Sequence, residues 1–194
     1  MKISIILLAA FIVAGCAGTG ELLKRAESPQ QVGICTVISP AEPPQQGFAD
    51  LTVHASLKTH QENGIPGSQD PHGTAAYRLL VNIDGQPLSL SGDCFSEDAT
   101  FRAERRPESG VGTRYRFMAH LRLKSGTHRI IVALPDDKVA AEREITLNDA
   151  TDNLLEVIPS YYIDRQQSGP GSAGATNFRE GIAGVELSLN GKEL

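Results

Sequence analysis

The chain has 194 residues, a length that suits one domain of ordinary size. Its 18 Lys and Arg stand against 23 Asp and Glu, and this acidic balance, without a recognition motif, argues against binding to nucleic acid. Trp is absent, so a core must be built from aliphatic side chains with a few Phe and Tyr.

The chain begins with the pattern of a secretory signal. Lys2 supplies a positive charge, and residues 3–13 form an apolar run. This run is shorter than the about 20 residues that a membrane span requires, and it fits the apolar core of a signal peptide. The residues Val13-Ala14-Gly15-Cys16 then resemble the lipobox of bacterial lipoproteins.

The lipobox resemblance implies that residues 1–15 are removed and that Cys16 is lipidated, with a diacylglycerol on its sulfur and a further acyl chain on its new amino terminus. Two or more acyl chains anchor a protein stably. An Asp in place of Ala17 would resemble the inner-membrane retention signal, so the outer membrane is favoured if the host is Gram-negative. The alternative is an ordinary cleaved signal with an unrelated cysteine.

The next segment, residues 17–31, is small and polar except for two leucines, and we expect a flexible tether that ends where the folded domain, 32–194, begins. Outside the cytosol disulfides persist, and two cysteines are left once Cys16 is lipidated. We therefore expect Cys35 and Cys94 to form a disulfide; the alternative is two buried thiols.

Period-two alternation predicts an all-β domain. Leu51, Val53, Ala55 and Leu57 would share one strand face, and Tyr77, Leu79, Val81 and Ile83 another. Further strands are expected at 32–38, 143–147, 154–158 and 184–190, which gives about eight or nine. Many short strands with regular turns favour an antiparallel two-sheet sandwich, immunoglobulin-like or related, with a barrel as the alternative.

Two hairpins can be placed by register. An Asp84-Gly85 turn sets Val81 opposite Leu88, and Pro87 then marks an edge strand. A Ser125-Gly126 turn would pair residues 117–124 with 127–134 in the same way. The strand that contains "VNIDGQ", with "KSGTHRIIVALP" and "REITL" after it, is similar to PEGA-type envelope modules, although no Pro-Glu-Gly-Ala stretch precedes it and no function is carried over.

The loop at 60–73 is rich in turn formers and holds the most favourable set of metal-type side chains, His60, Asp70 and His72. His54 and His60 lie about 20 Å apart on an extended strand, too far to share one ion. The main expectation is that no metal is bound and that these histidines lie at the surface or cap the loop. The alternative is a small-ligand or metal site in this loop.

Basic residues concentrate between positions 102 and 129, where eight Lys and Arg face two Glu. The predicted hairpin makes one sheet face basic, and its residues are Arg114, Arg116, His120, Arg122 and Arg129. The functional interpretation is a surface for an anionic envelope component or an acidic protein. The alternative is a solvated face, or one paired with acidic residues elsewhere in the fold.

No residue pattern points to catalysis. The stretch "GPGSAG" at 169–174 fails the G-x-S-x-G pattern of a serine hydrolase, and we interpret it as a surface loop. The sequence therefore predicts a membrane-anchored envelope lipoprotein that acts as a non-catalytic binding or assembly module, with no cofactor and no catalytic residue.

Overall fold

The computed structural model describes residues 18–62, 69–97, 107–163 and 177–194. The signal segment, the lipobox with Cys16 and the stretch at 169–174 lie outside these residues. Within them, the chain forms one α-helix and eleven strands. The elements are α1 (Thr19–Glu27), β1 (Cys35–Val37), β2 (Phe48–Thr59), β3 (Arg78–Ile83), β4 (Gln86–Ser91), β5 (Asp93–Glu97), β6 (Gly112–Lys124), β7 (Gly126–Leu134), β8 (Val139–Leu147), β9 (Asp152–Tyr161), β10 (Ile182–Leu189) and β11 (Lys192–Glu193).

The strands form two sheets, as the sequence predicts for an all-β sandwich. One sheet has seven strands in the order β1-β6-β2-β9-β10-β11, with β5 also paired to β6, and the other has four in the order β4-β3-β7-β8. The pairing of β2 with β9 is parallel, whereas the other pairs between described strands are antiparallel. The predicted all-β two-sheet sandwich is confirmed, with eleven strands among the described residues where about eight or nine were expected, and with one parallel pair in a fold expected to be antiparallel.

The core lies between the two sheets, on the strand faces that alternation predicts. The apolar residues of β2 from Leu51 to Leu57 are fully buried, and so are Tyr77 and the alternate residues of β3 from Leu79 to Ile83. The intervening residues of β2, such as His54, are partly exposed on the outer face. Burial of these aliphatic faces is the main favourable contribution to folding.

The Asp84-Gly85 hairpin is confirmed in its register. Val81 lies opposite Leu88, and Asn82 lies opposite Pro87. Asp84 and Gly85 both have positive φ, as a two-residue hairpin turn of type I′ requires. Strand β4 stands at the edge of the four-stranded sheet, where a proline costs no ladder hydrogen bond.

The second predicted hairpin is wrong. β6 pairs with β2 along its whole length, and β7 pairs with β3 and β8 in the opposite sheet. Residues 124–126 therefore connect the two sheets, and the Ser125 N–H donates to Gly47 O at 3.1 Å. The apolar pattern wrongly suggests that β6 and β7 pair in one sheet. Leu121 and Ile130 both face the core, but they do so from opposite sheets.

The predicted flexible tether is wrong for residues 19–27, which form α1. Leu22 and Ala26, one helical turn apart, pack with Leu80, Ile131 and Ala133 on the outer face of the four-stranded sheet. Pro29 follows the helix and cannot continue it. The described part of the chain contains no helix with the length and apolar character of a membrane span.

One end of the sandwich gathers segments from both sheets. β2 and β9 end there, at Thr59 and Tyr161, and β10 begins there. From the four-stranded sheet, the start of β3 and the turn at 135–138 reach the same end, where the side chain of Asp137 accepts the Ile182 N–H at 3.2 Å. This end is called the site end below.

Candidate functional site

Five side chains meet at the site end, and we call them the end cluster: His60, Asp70, His72, Tyr77 and Asp137. His60 follows the last residue of β2, and Asp137 lies in the turn between β7 and β8. Asp70, His72 and Tyr77 belong to the segment that leads into β3. The cluster therefore draws on both sheets and on the loop that the sequence singles out.

A tight turn brings Asp70 and His72 to His60. Thr74 N–H donates to Pro71 O at 3.1 Å, and Gly73 stands third in this turn with a φ of 81°, as a type II turn requires. A Cβ on Gly73 would lie 2.0 Å from the backbone nitrogen of Glu62. Glycine thus lets the turn pack directly on the backbone that follows His60.

Asp70 lies between the two imidazoles. His60 Nε2 donates to its Oδ2 at 2.9 Å, and His72 Nδ1 donates to its Oδ1 at 2.6 Å. The backbone N–H of His72 also donates to Oδ1, at 3.1 Å. The two histidine rings are 5.0 Å apart between centroids, so the carboxylate and both rings form one compact group.

Asp137 holds the far side of His72. Its Oδ2 lies 3.3 Å from His72 Nε2 and accepts the Tyr77 O–H at 2.6 Å. Its Oδ1 accepts the Ile182 N–H, and its side chain is only 4% exposed. His72 is therefore oriented from both sides by carboxylates that are themselves held in place.

The charges of the cluster follow from these contacts. Burial lowers the pKa of His72, but hydrogen bonds to Asp137 and Asp70 and their negative charges outweigh it, and the pKa lies above its usual value. Burial raises the pKa of Asp70, yet the hydrogen bonds from His72 and His60 outweigh it and hold that pKa below its usual value. The two carboxylates therefore stabilise the imidazolium form of His72 relative to its form in water.

The cluster borders a cavity of about 320 Å³ that is also lined by Thr59 and by residues 178–182. His60, Asp70 and His72 each offer one ligand atom, and these three atoms lie within 4.8 Å of one another. The loop trio that the sequence singles out as the most favourable metal-type set is thus brought together in space.

The predicted basic face gives a different result. We call Arg114, Arg116, His120 and Arg122 the β6 row, because all four lie on the outer side of β6, as predicted. Arg114 pairs with Glu97 at 2.9 Å and with Glu108.

Arg122, at the other end of the row, donates to both carboxylate oxygens of Asp50, at 2.7 and 2.8 Å. Hydrogen bonds to Asp50 raise the pKa of Arg122, and paired carboxylates likewise raise the pKa of Arg114 despite its burial. The outer arginines of the row are therefore neutralised within the fold.

The middle of the β6 row, Arg116 and His120, makes fewer polar contacts with the described residues than its two ends do. Arg116 lies over the ring of Phe95, 4.7 Å from its centroid, and makes no ion pair with any described residue. His120 Nδ1 lies 3.0 Å from the hydroxyl of Thr52. Met118, between them on the same face, is 60% exposed.

The placement of Arg129 on this face is wrong. It lies on β7 in the four-stranded sheet, opposite Glu144, and its Nε is 3.7 Å from Glu142. The hairpin that would have put it opposite Arg122 does not form, so the five predicted residues do not share one surface.

The predicted disulfide is also wrong in this structure. Cys35 and Cys94, both among the described residues, are free thiols, the first buried and the second exposed. They pair with β6 at Leu123 and Tyr115, eight positions apart along the strand, or about 26 Å at 3.3 Å per residue. A disulfide allows at most about 7 Å between Cα atoms.

The contributions of Asp137 and Tyr77 are not anticipated from the sequence. Tyr77 is expected in the core, and its ring is indeed fully buried, but its hydroxyl reaches Asp137. Asp137 lies 65 residues beyond His72. The "PDDK" turn gives a signal for a surface loop only, since nothing in it indicates which strands meet beside it.

Comparisons of the chain with protein-family models, with curated proteins and with solved structures find no match. The geometry of the end cluster and the sequence features are accordingly the basis for a functional proposal.

Proposed function

We propose that the protein is a lipid-anchored lipoprotein of the bacterial cell envelope, held through Cys16, that acts as a non-catalytic binding module. Its favoured location is the outer membrane where the host is Gram-negative. The binding site that the geometry favours is the cavity at the end cluster. One observation carries this choice: His60, Asp70 and His72 converge on one cavity, and Asp137 holds His72 from behind.

The position of α1 supports a close attachment to the membrane. The helix begins at Thr19, three residues after Cys16. Three residues span at most about 10 Å even when fully extended. Because α1 is docked on the four-stranded sheet, a lipid on Cys16 would hold the sandwich near the headgroups without a long tether.

The direction of α1 also relates the anchor to the cavity. The Arg25 carbonyl accepts a hydrogen bond from Asn82, and the Gln30 N–H donates to Gly85 O. These contacts put the C-terminal end of the helix beside the Asp84-Gly85 turn, opposite the site end. The N-terminal end, which leads back to Cys16, is therefore directed toward the site end, and the end cluster would face the membrane side.

The anchor is tested by processing and fractionation. In the native host, globomycin should block processing, and Cys16→Ala should release the protein from the membrane fraction or leave it unprocessed. Cys94→Ala is the matched control, since it removes an exposed free thiol and should leave fractionation unchanged. Membrane retention of a correctly processed Cys16→Ala protein would contradict the proposal.

A second candidate function is binding of an anionic or acidic envelope partner through the open middle of the β6 row. The observation in its favour is that Arg116, without an ion pair to any described residue, lies beside exposed Met118. Crosslinking in intact cells tests it. Arg116→Glu should abolish a crosslinked species that survives Lys192→Glu, a charge reversal at an exposed position on β11. Equal crosslinking in both variants would exclude this surface.

A further inference from the structure

We propose that the end cluster binds one divalent transition-metal ion of the zinc class, with His60 Nε2, a carboxylate oxygen of Asp70 and His72 Nδ1 as its ligands. This inference names the ligand of the binding module proposed above and rests on that proposal for its cellular role. The site itself depends only on described residues.

The donor set points to this class of ion. Two imidazole nitrogens and one carboxylate oxygen are typical ligands of zinc, and they also suit copper and nickel. Magnesium and calcium prefer sites made of oxygen ligands only. The three ligand atoms come from His60, Asp70 and His72 and lie within 4.8 Å of one another.

The spacing of the ligand atoms is close to what a tetrahedral ion requires. Ligands about 2.0–2.1 Å from such an ion lie about 3.3 Å from one another. One Asp70 oxygen lies 2.9 Å from His60 Nε2, the other lies 2.6 Å from His72 Nδ1, and the ligand atoms of the three residues lie within 4.8 Å of one another. The ion therefore requires movements of the side chains without a change of fold, and His60 is well placed to move because its side chain is 31% exposed.

Asp137 provides the outer carboxylate that metal-binding histidines usually have, and chance groups of polar side chains lack such a partner. A metal-bound histidine usually donates its other ring N–H to a carboxylate, which fixes its tautomer and orientation. His72 has this arrangement, with Nδ1 toward Asp70 and Nε2 toward Asp137. Asp137 is in turn held by the Tyr77 hydroxyl and the Ile182 N–H.

Three protein ligands leave a coordination position open, as in zinc sites that keep a water or take a further ligand. The cavity of about 320 Å³ beside the cluster has room for such a ligand. Glu180 and Arg179 line the same cavity. An ion held here would therefore be reachable by a small molecule and not enclosed by protein.

Metal binding displaces the proton from each ring nitrogen that now donates to Asp70. Both nitrogens of His72 face carboxylates, so His72 releases the Nδ1 proton to solvent and keeps the Nε2 proton, which donates to Asp137. In a neutral His60 ring the displaced proton moves to Nδ1. The balance is one metal ion bound and one proton released from His72, with a second released only where His60 carries protons on both nitrogens.

Titration calorimetry of the full chain tests the site. The protein is purified in detergent without a histidine tag, stripped with chelator, and titrated with zinc chloride in two buffers of different ionisation enthalpy. We expect one ion per chain, a Kd of about 1 μM or tighter, and a heat that depends on the buffer because protons are released. Magnesium chloride should give no binding heat.

The variants decide between a site and adventitious binding. His60→Ala should weaken zinc binding by about 100-fold or more, and Asp137→Asn by about 10- to 100-fold. His54→Ala is the matched control, a histidine removed from the outer face of β2, and its affinity should equal that of the parent. Thermal melting confirms that His60→Ala is folded, and Asp70→Asn repeats the test at a second ligand.

Less than one zinc ion per chain, or a loss of less than tenfold in His60→Ala, would overturn the inference. Magnesium binding of similar strength would overturn the assignment to the zinc class. Neither result affects the lipid anchor, which fractionation of Cys16→Ala tests separately.

Discussion

The end cluster and the β6 row contain the same kinds of residue, basic side chains beside carboxylates, but they use them differently. In the β6 row, Arg114 and Arg122 lie on one flat strand face, and each is paired with carboxylates on neighbouring segments. In the end cluster, His60 and His72 approach a single carboxylate, Asp70, from two segments. The row stabilises the sheet, whereas the cluster directs its ligand atoms toward one point.

The difference shows that convergence matters more than the number of charges. Successive outward side chains of a strand stand about 6.6 Å apart, so a row along β6 cannot bring its atoms together. A turn such as that at 71–74 reverses the chain, and it can therefore bring side chains from two segments to one point. Substitutions in the two regions can separate the stabilising row from the converging cluster.

The largest effect on stability is expected at the row. Arg114→Ala leaves Glu97 and Glu108 without their guanidinium partner and should lower the free energy of unfolding by about 1–3 kcal/mol. Urea denaturation measures this loss, with exposed Arg143→Ala as the control. Zinc affinity should not change, and a fall in affinity without a fall in stability would reverse the roles assigned to row and cluster.

Next in size is the pH dependence of the metal-free cluster. The pKa of His72 is raised in the folded protein, so its contribution is complete below the usual value of about 6.5 and is lost as the pH rises through the raised pKa. The groups that face it are Asp70, Asp137, Tyr77 and His60, and Asp136 also interacts with it electrostatically. The lowered pKa of Asp70 adds stability that is lost only as the pH falls below its usual value.

With chelator present, the free energy of unfolding should therefore fall as the pH rises above about 6.5. His72→Asn should flatten this part of the profile, while His54→Asn, on the outer face of β2, should keep it. Parallel profiles for the parent and His72→Asn would show that His72 does not carry the effect.

A smaller effect is expected from Tyr77→Phe, which removes only the hydroxyl that donates to Asp137. The loss of one hydrogen bond should cost about 1 kcal/mol of stability. Because Asp137 keeps its bond from Ile182, zinc affinity should fall by less than tenfold. A loss as large as that in His60→Ala would mean that Tyr77 does more than orient Asp137.

The smallest effect is expected from Arg116→Glu. Arg116 is exposed and stacks on Phe95 without an ion pair to a described residue, so the free energy of unfolding should change by about 0.5 kcal/mol or less. Chemical denaturation checks this value. A much larger loss would place Arg116 with Arg114 and Arg122 as a structural residue.

The local parts of the fold could be predicted from the sequence. The Asp84-Gly85 turn and the alternating faces of β2 and β3 follow from turn chemistry and period-two burial. The strands that pair with β6 and β7 could not be predicted. The alternation of apolar residues is the same whether two strands are neighbours in a sheet or face each other across the core. Helix α1 is not predicted because it has only nine residues and is mostly polar, a composition that also suits a flexible tether.

The candidate site was predictable in part. His60, Asp70 and His72 lie within thirteen residues of one another, so a turn in the loop was enough to suggest the trio. Asp137 arrives from a distant turn, and only the pairing of β7 with β3 brings it beside His72. The prediction of the basic face is wrong at Arg129 for the same reason. It requires β6 to pair with β7, and the local sequence does not encode which strands pair.

X-ray absorption at the zinc edge of the metal-loaded protein tests the metal site at the end cluster. We expect about four ligands, two of them imidazole nitrogens at about 2.0 Å, with the rest oxygen and no sulfur. We also expect that His60→Ala lowers the imidazole count by one and that His54→Ala leaves it at two. A sulfur shell, or an unchanged imidazole count in His60→Ala, would contradict a metal site at the end cluster.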